Sequence, residues 1–465
     1  MTILRAIPEH RPKKEMEPPD GGWGWMVVLG VAITNMTNQS MVSVFGLLYG
    51  DLIISMGHGT TGAAVIMNLM SAVTNLSGFL IGPMIKQFSY RKAAVVGGIL
   101  VASGVILTSG ATYMWQMIIT YSILAGLGLG LLNPATFVAV NSYFSSRRGR
   151  AVGLGLAGTG LGQMAMPQIV RSLLDEYGYK GTVLFLGGLA LHSLVGASLF
   201  QPVEWHQRPG PQSDVELAPL KTTHAPDDVE TRTEGGRAQQ QQQAARRKMS
   251  LKEVAAVPVV GCWSRVVEVM DLDLLRDPVF VNLALGLAFV YTAGINFSLV
   301  FPFFLQDTAG LTRSQTALCM SVLASADISS RLLLPQITDR LKARSRTTFL
   351  VGAVSLGVIR SVTAEARGLY VLIAISAING FIRGSTVVNQ NLALSEYCSK
   401  EKVPAALGIN MVAKGIGILT FGPMLGWLRD ATGSFPLCIH AMSALIFASM
   451  TSWIVEIIIM QRRKR

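Results

Sequence analysis

The chain has 465 residues, of which half are hydrophobic and only 14% are charged, with a formal net charge of +12 and a mean hydropathy of +0.45. Globular proteins carry about 25% charged residues, so this composition excludes a soluble multidomain enzyme and a disordered chain and predicts an all-α polytopic membrane protein. The four cysteines are scattered without metal-ligand spacing and indicate neither a disulfide framework nor a zinc site, and we expect no cofactor.

A membrane-spanning helix needs about 20 predominantly apolar residues, and the sequence contains 12 such stretches. Six lie in the first part of the chain, at 22–48, 60–84, 93–111, 113–139, 149–173 and 181–200. Six more lie at 278–305, 313–337, 347–364, 368–394, 403–428 and 432–459. Near-equal blocks are typical of a duplicated transporter core, so we predict two six-helix halves, 22–200 and 278–460.

The segments outside these halves differ in composition. Residues 201–277 are rich in proline, charge and glutamine, which predicts a solvated linker because such a segment cannot bury a core. Within it, apolar residues at helical spacing over 263–275 predict an interfacial helix. Residues 1–21 and 461–465 are predicted to be tails.

Lysine and arginine are unevenly distributed among the predicted loops. If the N-terminus is cytoplasmic, the inner segments carry 30 of the 39 Lys and Arg, and still 20 without the linker, against five in the outer loops. Because positively charged loops stay inside, we predict that both termini and the linker are cytoplasmic. Most of the positive charge therefore sets topology and indicates no nucleic acid partner.

Three further cations, Arg331, Arg383 and Lys414, lie well inside predicted spans. A charge there costs about 2.5–3.5 kcal/mol to insert and normally marks a substrate or ion pathway. Asp327 precedes Arg331 by four residues, which places both on one helix face. One carboxylate against three cations favours an anionic substrate, since a guanidinium binds carboxylate bidentately and a neighbouring acid can exchange a proton. The alternative is a static Asp327–Arg331 pair, which leaves Arg383 and Lys414 unexplained.

The glycine repeats are interpreted as helix contacts. Gly153, Gly155 and Gly158 satisfy GxGxxG, but no strand precedes them, so a dinucleotide site is not expected. Small residues at such spacing are typical of close packing between membrane helices. The same interpretation applies to the remaining closely spaced glycines, which are Gly126, Gly128, Gly130, Gly160 and Gly162. No Ser/His, Cys/His or paired-carboxylate constellation supports an enzyme.

Two sequence patterns of higher specificity resemble those of a known family. The stretch Asp20-Gly21-Gly22-Trp23-Gly24-Trp25 resembles the signature of the monocarboxylate transporter family, within the major facilitator superfamily. A second stretch, from Asn133-Pro134 through Tyr143-Phe144-Ser145-Ser146-Arg147-Arg148 to Gly158, is similar to that family's entry into the fifth span. The resemblance implies the major facilitator fold and secondary-active transport of monocarboxylates or related small organic anions.

The resemblance also assigns roles to single residues. Asp327 and Arg331 match the family's D-x-x-x-R arrangement, in which arginine binds the substrate carboxylate and aspartate takes part in proton coupling. The remaining candidates for the substrate cavity are Arg383, Lys414, Asn133 and Ser40. The loop residues that the resemblance places at an inner gate are Arg147, Arg148, Asp339 and Arg340.

The chain departs from the family pattern at several positions. Proton-coupled lactate carriers of the family have a first-span lysine, for which Ser40 is the nearest counterpart here; Ser142 replaces the lysine of the KYF triplet, and Arg383 is additional. The alternatives are therefore an uncoupled carrier of a carnitine-, creatine-, aromatic amino acid- or iodothyronine-like substrate, and a transport-inactive receptor or scaffold. The resemblance implies a plasma-membrane location. Besides lipid, the expected partners are a small organic anion, H⁺ and a single-span immunoglobulin-like chaperone.

Overall fold

The computed structural model describes residues 16–39, 41, 44–57, 60–206, 208–209 and 271–464. The helices all belong to one compact unit, Glu17–Arg208 with Met270–Arg465. Ser40 lies outside the described residues, as do 210–270, which hold most of the predicted linker and of the interfacial helix predicted over 263–275. Two short strands, β1 (Met16–Glu17) and β2 (Arg208–Pro209), form a two-stranded sheet.

The helices of the first half follow in chain order. They are α1 (Trp23–Thr34), which continues as a π-helical segment Asn35–Gln39, α2 (Phe45–Ser55), α3 (Thr60–Leu76), α4 (Gly78–Phe88), α5 (Tyr90–Thr108), α6 (Met114–Tyr143), α7 (Arg148–Ala190) and α8 (His192–Ser198). A 3₁₀ turn, Val203–Trp205, follows.

The second half begins with a 3₁₀ turn, Leu272–Arg276. Its helices are α9 (Pro278–Phe303), which continues as a π-helical segment Phe304–Thr308, α10 (Arg313–Arg340), α11 (Ser345–Glu365), α12 (Leu369–Tyr397), α13 (Val403–Thr432) and α14 (Phe435–Lys464).

Several helix ends follow local sequence signals. The Asp277 side chain caps the first turn of α9, and Pro278 occupies its first position, where a missing N–H costs nothing. Thr312 and Gln315 form a capping box at the start of α10. Gly433 ends α13 in the left-handed conformation, with φ of 65°, which glycine adopts without a steric penalty.

The described residues contain nine helices that are long and apolar enough to cross a membrane, or 10 when the bent pair α3–α4 counts as one span. One of the nine, Arg148–Ser198, contains a non-helical residue, Gly178, with φ of 61° and ψ of −173°, and therefore comprises two helices. With α1 and α2 as the first span, the order matches the 12 predicted spans.

Glycines let the two halves approach closely along α4 and α13. A Cβ at Gly78 would lie against the Met411 side chain and within 2.9 Å of the Gly408 carbonyl oxygen. A Cβ at Gly82 would lie 3.2 Å from Ala405 Cα. Because a Cβ at Gly78 would meet the opposite backbone, a larger residue there would force α4 and α13 apart.

The GxGxxG stretch makes a second contact of this kind, which confirms its interpretation as a packing surface. A Cβ at Gly153 would overlap the Arg331 carbonyl oxygen of α10, and one at Gly160 would overlap the Ile328 side chain. Gly158 packs instead against the backbone of Ala32 in α1. The successive glycines of α7 therefore serve two different neighbours, α1 in the same half and α10 in the other.

The two halves contact each other at one end of the interface, called the closed end below. This end carries the loops 144–147 and 341–344, and there Asp339 of α10 accepts a hydrogen bond from the backbone N–H of Arg150 in α7. A cavity of about 630 Å³ lies toward the opposite end, lined by Asn68 of α3, by residues of α9 and α13 and by Phe435 of α14. The described state therefore has contact between the halves at the closed end and space between them at the other.

Candidate functional site

Asp327 and Arg331 form a buried ion pair on α10. Arg331 Nη2 lies 2.7 Å from Asp327 Oδ2, and both side chains are 6% exposed. The i,i+4 spacing predicted this contact. Arg331 Nη1 also donates to the backbone oxygen of Leu156 in α7 at 3.0 Å. The pair therefore reaches from the second half to the first.

The ion pair leaves polar atoms without partners. Asp327 Oδ1 and Arg331 Nε have no hydrogen-bond partner among the residues that the structure describes. A buried ion pair offsets its desolvation cost only when the remaining donors and acceptors are also satisfied. The arrangement is therefore a poor stabilising element and retains capacity to bind a proton or a ligand group.

A central cavity of about 220 Å³ lies between the two halves. Its polar lining comes from α1, α3, α6, α9, α12 and α13; these residues are Asn35, Thr74, Asn75, Asn133, Thr136, Tyr291, Gln390, Asn391, Asn410 and Lys414. Lys414 is the one charged residue in the described lining. It is 7% exposed, and its Nζ lies 4.8 Å from the centre of the Tyr291 ring, at a distance typical of a cation–π contact.

The structure relates the predicted site residues to this cavity in different ways. Asn133 and Lys414 line it together. Asp327 and Arg331 do not, but Leu156, whose oxygen accepts the hydrogen bond of Arg331, does. The ion pair therefore lies next to the cavity wall, to which the Arg331–Leu156 hydrogen bond joins it.

A second, smaller cavity of about 90 Å³ contains Arg383. It lies between α9, α11 and α12 and shares Tyr291, Val387 and Gln390 with the central cavity. Arg360 of α11 lines it as well. Arg360 is not among the three cations that the sequence placed well inside spans, yet its side chain is only 1% exposed. Because Arg360 lies inside the predicted span 347–364, its position in the sequence could have identified it as a fourth buried cation.

The signature aspartate holds the loop between α6 and α7. Asp20 Oδ1 accepts from the backbone N–H of Ser145 at 2.6 Å and of Ser146 at 3.0 Å, and Oδ2 accepts from the Ser145 hydroxyl at 2.6 Å. Burial by itself acts to raise the pKa of Asp20, but the hydrogen bonds from Ser145 and Ser146 outweigh it and lower the pKa below the ordinary value.

Gly24 and Trp25 of the signature pack on the same loop, whereas Trp23 bonds the residue that follows α8. Trp25 meets Phe144 edge to face with ring centres 5.0 Å apart, and a Cβ at Gly24 would lie 2.9 Å from the Phe144 ring. Trp23 donates from its indole to the Leu199 oxygen at 3.1 Å. The two stretches that carry the family resemblance are therefore the two sides of one contact.

The predicted gating residues have unequal contacts. Asp339 Oδ2 accepts from the backbone N–H of Arg150 at 3.1 Å and lies 3.7 Å from its Nε, which joins the halves at the closed end. Arg148 donates to the Phe144 oxygen at 2.7 Å within its own half, while Arg147 and Arg340 are exposed. Sequence reasoning missed Arg150, since its partner lies 189 positions away.

Within the described ranges, no group of three or more His, Cys, Asp or Glu side chains could hold a metal ion. The cations of the candidate site and the Asp327 carboxylate are groups that can supply electrostatic attraction, bidentate hydrogen bonding and proton exchange.

Comparisons with known proteins agree with this architecture. Residues 27–423 match the family model of the Major Facilitator Superfamily. The chain is similar to monocarboxylate transporter 12 of Homo sapiens (26% identity, 94% of this chain and 81% of the relative) and to monocarboxylate transporter 13 of Bos taurus (24%, 93% and 89%). A solved structure, the proton:xylose symporter XylE bound to 6-bromo-6-deoxy-D-glucose, superposes with a TM-score of 0.62 at 14% identity over 92% of this chain and 94% of that chain, a likeness that shows the fold alone.

Proposed function

Because this chain belongs to the Major Facilitator Superfamily, whose all-α fold the sequence predicted, we propose that it is a secondary-active transporter of monocarboxylates or related small organic anions, with proton coupling. The proposal depends mainly on one observation: the central cavity between the halves is lined by a buried lysine and by no carboxylate among its described residues. The names of the relatives point to the same substrate class.

The charges around the cavity favour an anionic substrate. A buried ammonium group is costly without a counter-charge, and the structure shows Lys414 over the face of Tyr291 with no ion pair to a described acid. An entering carboxylate would supply the missing charge. The volume of about 220 Å³ lies below the roughly 300–1,000 Å³ of sites for drug-sized ligands, which favours a small metabolite.

Asp327 would couple this binding to a proton. When the carboxylate of Asp327 takes up a proton, it no longer neutralises Arg331, whose guanidinium is then available to a substrate carboxylate. One proton and one monoanion then cross together without net charge. When the proton and the substrate leave, Asp327 pairs again with Arg331, as in the described state.

The halves would alternate access by rocking about the central cavity. In the described state α4 contacts α13, and α7 contacts α10, at the closed end. With the topology proposed from the loop charges, the closed end is cytoplasmic and this state faces outward from a plasma membrane. Inward opening would require separation of the Asp339–Arg150 contact.

Uptake of radiolabelled substrates by cells that express the chain tests the proposal. The panel contains monocarboxylates, carnitine, creatine, an aromatic amino acid and an iodothyronine, each at an acidic and a neutral external pH, with surface labelling and with or without a single-span immunoglobulin-like chaperone. Saturable monocarboxylate uptake that rises with acidity supports the proposal. Uptake of another panel member without pH dependence would favour the uncoupled alternative, and a surface-exposed chain without any uptake would favour a receptor or scaffold.

A further inference from the structure

We propose that the small cavity between α9, α11 and α12 is a second binding site, distinct from the central cavity, for a small monovalent anion held by the guanidinium groups of Arg360 and Arg383. The ligand is of halide or carboxylate type, supplied either as a free inorganic ion or as a carboxylate group. The site does not depend on the proposed transport function.

The first observation is the unpaired guanidinium of Arg360. This side chain is 1% exposed, and its Nε and Nη1 have no hydrogen-bond partner among the described residues. Its Cζ lies 4.6 Å from the centre of the Phe297 ring. An aromatic ring attracts the positive charge but offers no lone pair, so it does not supply the acceptor that these two nitrogens lack. The in-plane donors therefore still require an acceptor.

The second observation is a like charge in the same cavity. Arg383 of α12 lines it opposite α11, and no hydrogen bond or ion pair joins Arg383 to another part of the chain that the structure describes. Two cations around one small, partly enclosed space repel each other strongly in a low dielectric. An anion between the two guanidinium groups would attract both and would accept hydrogen bonds from both.

The remaining polar groups of the lining do not supply that acceptor charge. No carboxylate occurs in the described lining of the cavity. Ser298 and Thr386 donate their hydroxyl hydrogens to Gly294 and Ile382 oxygens, and the Gln390 amide donates to the Leu287 oxygen. The guanidinium groups therefore supply most of the donors that remain free in this cavity.

The nearby acids have other partners. Asp327 pairs with Arg331. Glu365, the one acid on α11, bonds His440, and its side chain is 73% exposed. A cavity of about 90 Å³, less than half the volume of the central one, suits an ion or a group of a few atoms and not a whole organic substrate. These observations together favour a small anion.

Thermal unfolding of the purified, detergent-solubilised chain tests the site without any transport measurement. Sodium isethionate is exchanged for sodium chloride, and separately for sodium formate, at constant total salt. We expect a saturable rise in Tm of about 2 °C or more with at least one of the two anions, because a ligand that binds only the folded state stabilises it. A shift with chloride identifies a free-ion site, and a shift with formate alone identifies a carboxylate site.

Substitutions of the two arginines test whether the anion-dependent rise in Tm comes from this cavity. Arg383→Gln, at a partly exposed position, and Arg360→Gln should each weaken the anion-dependent shift at least 10-fold in apparent Kd. The control Arg367→Gln should keep it, since Arg367 donates to the backbone oxygens of Ala364 and Ala366. If a glutamine variant fails to fold, Arg360→Lys and Arg383→Lys are used instead. They keep the positive charge but lose the paired N–H donors of the guanidinium group, and should weaken anion binding several-fold. Equal Tm in all three salts, or wild-type shifts in the Arg360 and Arg383 variants, would overturn the proposal.

Discussion

Arg331 of α10 donates a hydrogen bond from Nη1 to the backbone oxygen of Leu156 in α7, at 3.0 Å. Arg331, which Asp327 neutralises, therefore also joins the two halves of the bundle by a hydrogen bond. Because Leu156 lines the central cavity, a change in the charge of the pair would affect both the cavity wall and the interface that opens in the proposed transport cycle.

Asp327→Asn should remove the pH dependence of uptake. The amide has nearly the shape of the acid but cannot exchange a proton, so transport either stops or proceeds without coupling. Initial rates at an acidic and a neutral external pH measure this, with Asp307→Asn, at an exposed position of the same half, as the control. A variant with the wild-type ratio of the two rates would contradict the role of Asp327.

Arg331→Gln should lower uptake at least about 10-fold while the protein still reaches the cell surface, since losing one partner of a buried charge pair costs roughly 2–5 kcal/mol. It also leaves Asp327 buried without a counter-charge, so the free energy of unfolding should fall by about 3–5 kcal/mol. The double variant Asp327→Asn with Arg331→Gln should recover part of that stability, because no unpaired charge remains. Additive losses in the double variant would show that the two residues do not act as a pair.

Lys414→Met should raise KM for an anionic substrate by roughly 10-fold or more, since the variant removes the single charge in the described cavity lining. Lys414→Arg, which keeps the charge, should lose much less. Concentration series of uptake in both variants provide the comparison. Equal KM values for the wild type and Lys414→Met would mean that the substrate does not contact this lysine.

Gly153→Ala should destabilise the closed end. The added methyl group would overlap the Arg331 carbonyl oxygen, and overpacking of this kind typically costs about 1–3 kcal/mol. Gly188→Ala, in the part of α7 that follows Gly178 and with no atom within 4 Å of the added Cβ, should be neutral or stabilising because alanine favours helix over glycine. Thermal unfolding of both variants gives the test, and an equal Tm for the two would argue against this contact.

Asp20→Asn should destabilise the protein by about 1 kcal/mol at neutral pH, because asparagine keeps the left-handed backbone at this position (φ of 47°) but loses the charge-assisted hydrogen bonds. The pKa of Asp20 is lowered from the ordinary carboxyl value of 3.8. Its contribution is therefore present above pH 3.8 and is lost as the pH falls through the lowered pKa of the folded state. The free energy of unfolding of the wild type and of the variant should therefore be measured at neutral pH and at decreasing pH. The difference between the two should become smaller as the pH falls. A constant difference would exclude the carboxylate as its source.

The sequence alone predicted what depends on local pattern: the order of the spans and the i,i+4 contact of Asp327 with Arg331. Apolar length, cap residues and helical spacing act within about 20 residues, so they can be read along the chain. Tertiary structure decided which distant atoms meet, including Leu156 with Arg331, Asp339 with Arg150, and Arg360 with Arg383 around one small cavity. Those contacts depend on how close the glycines allow the backbones to come, and that distance is set only when the helices pack.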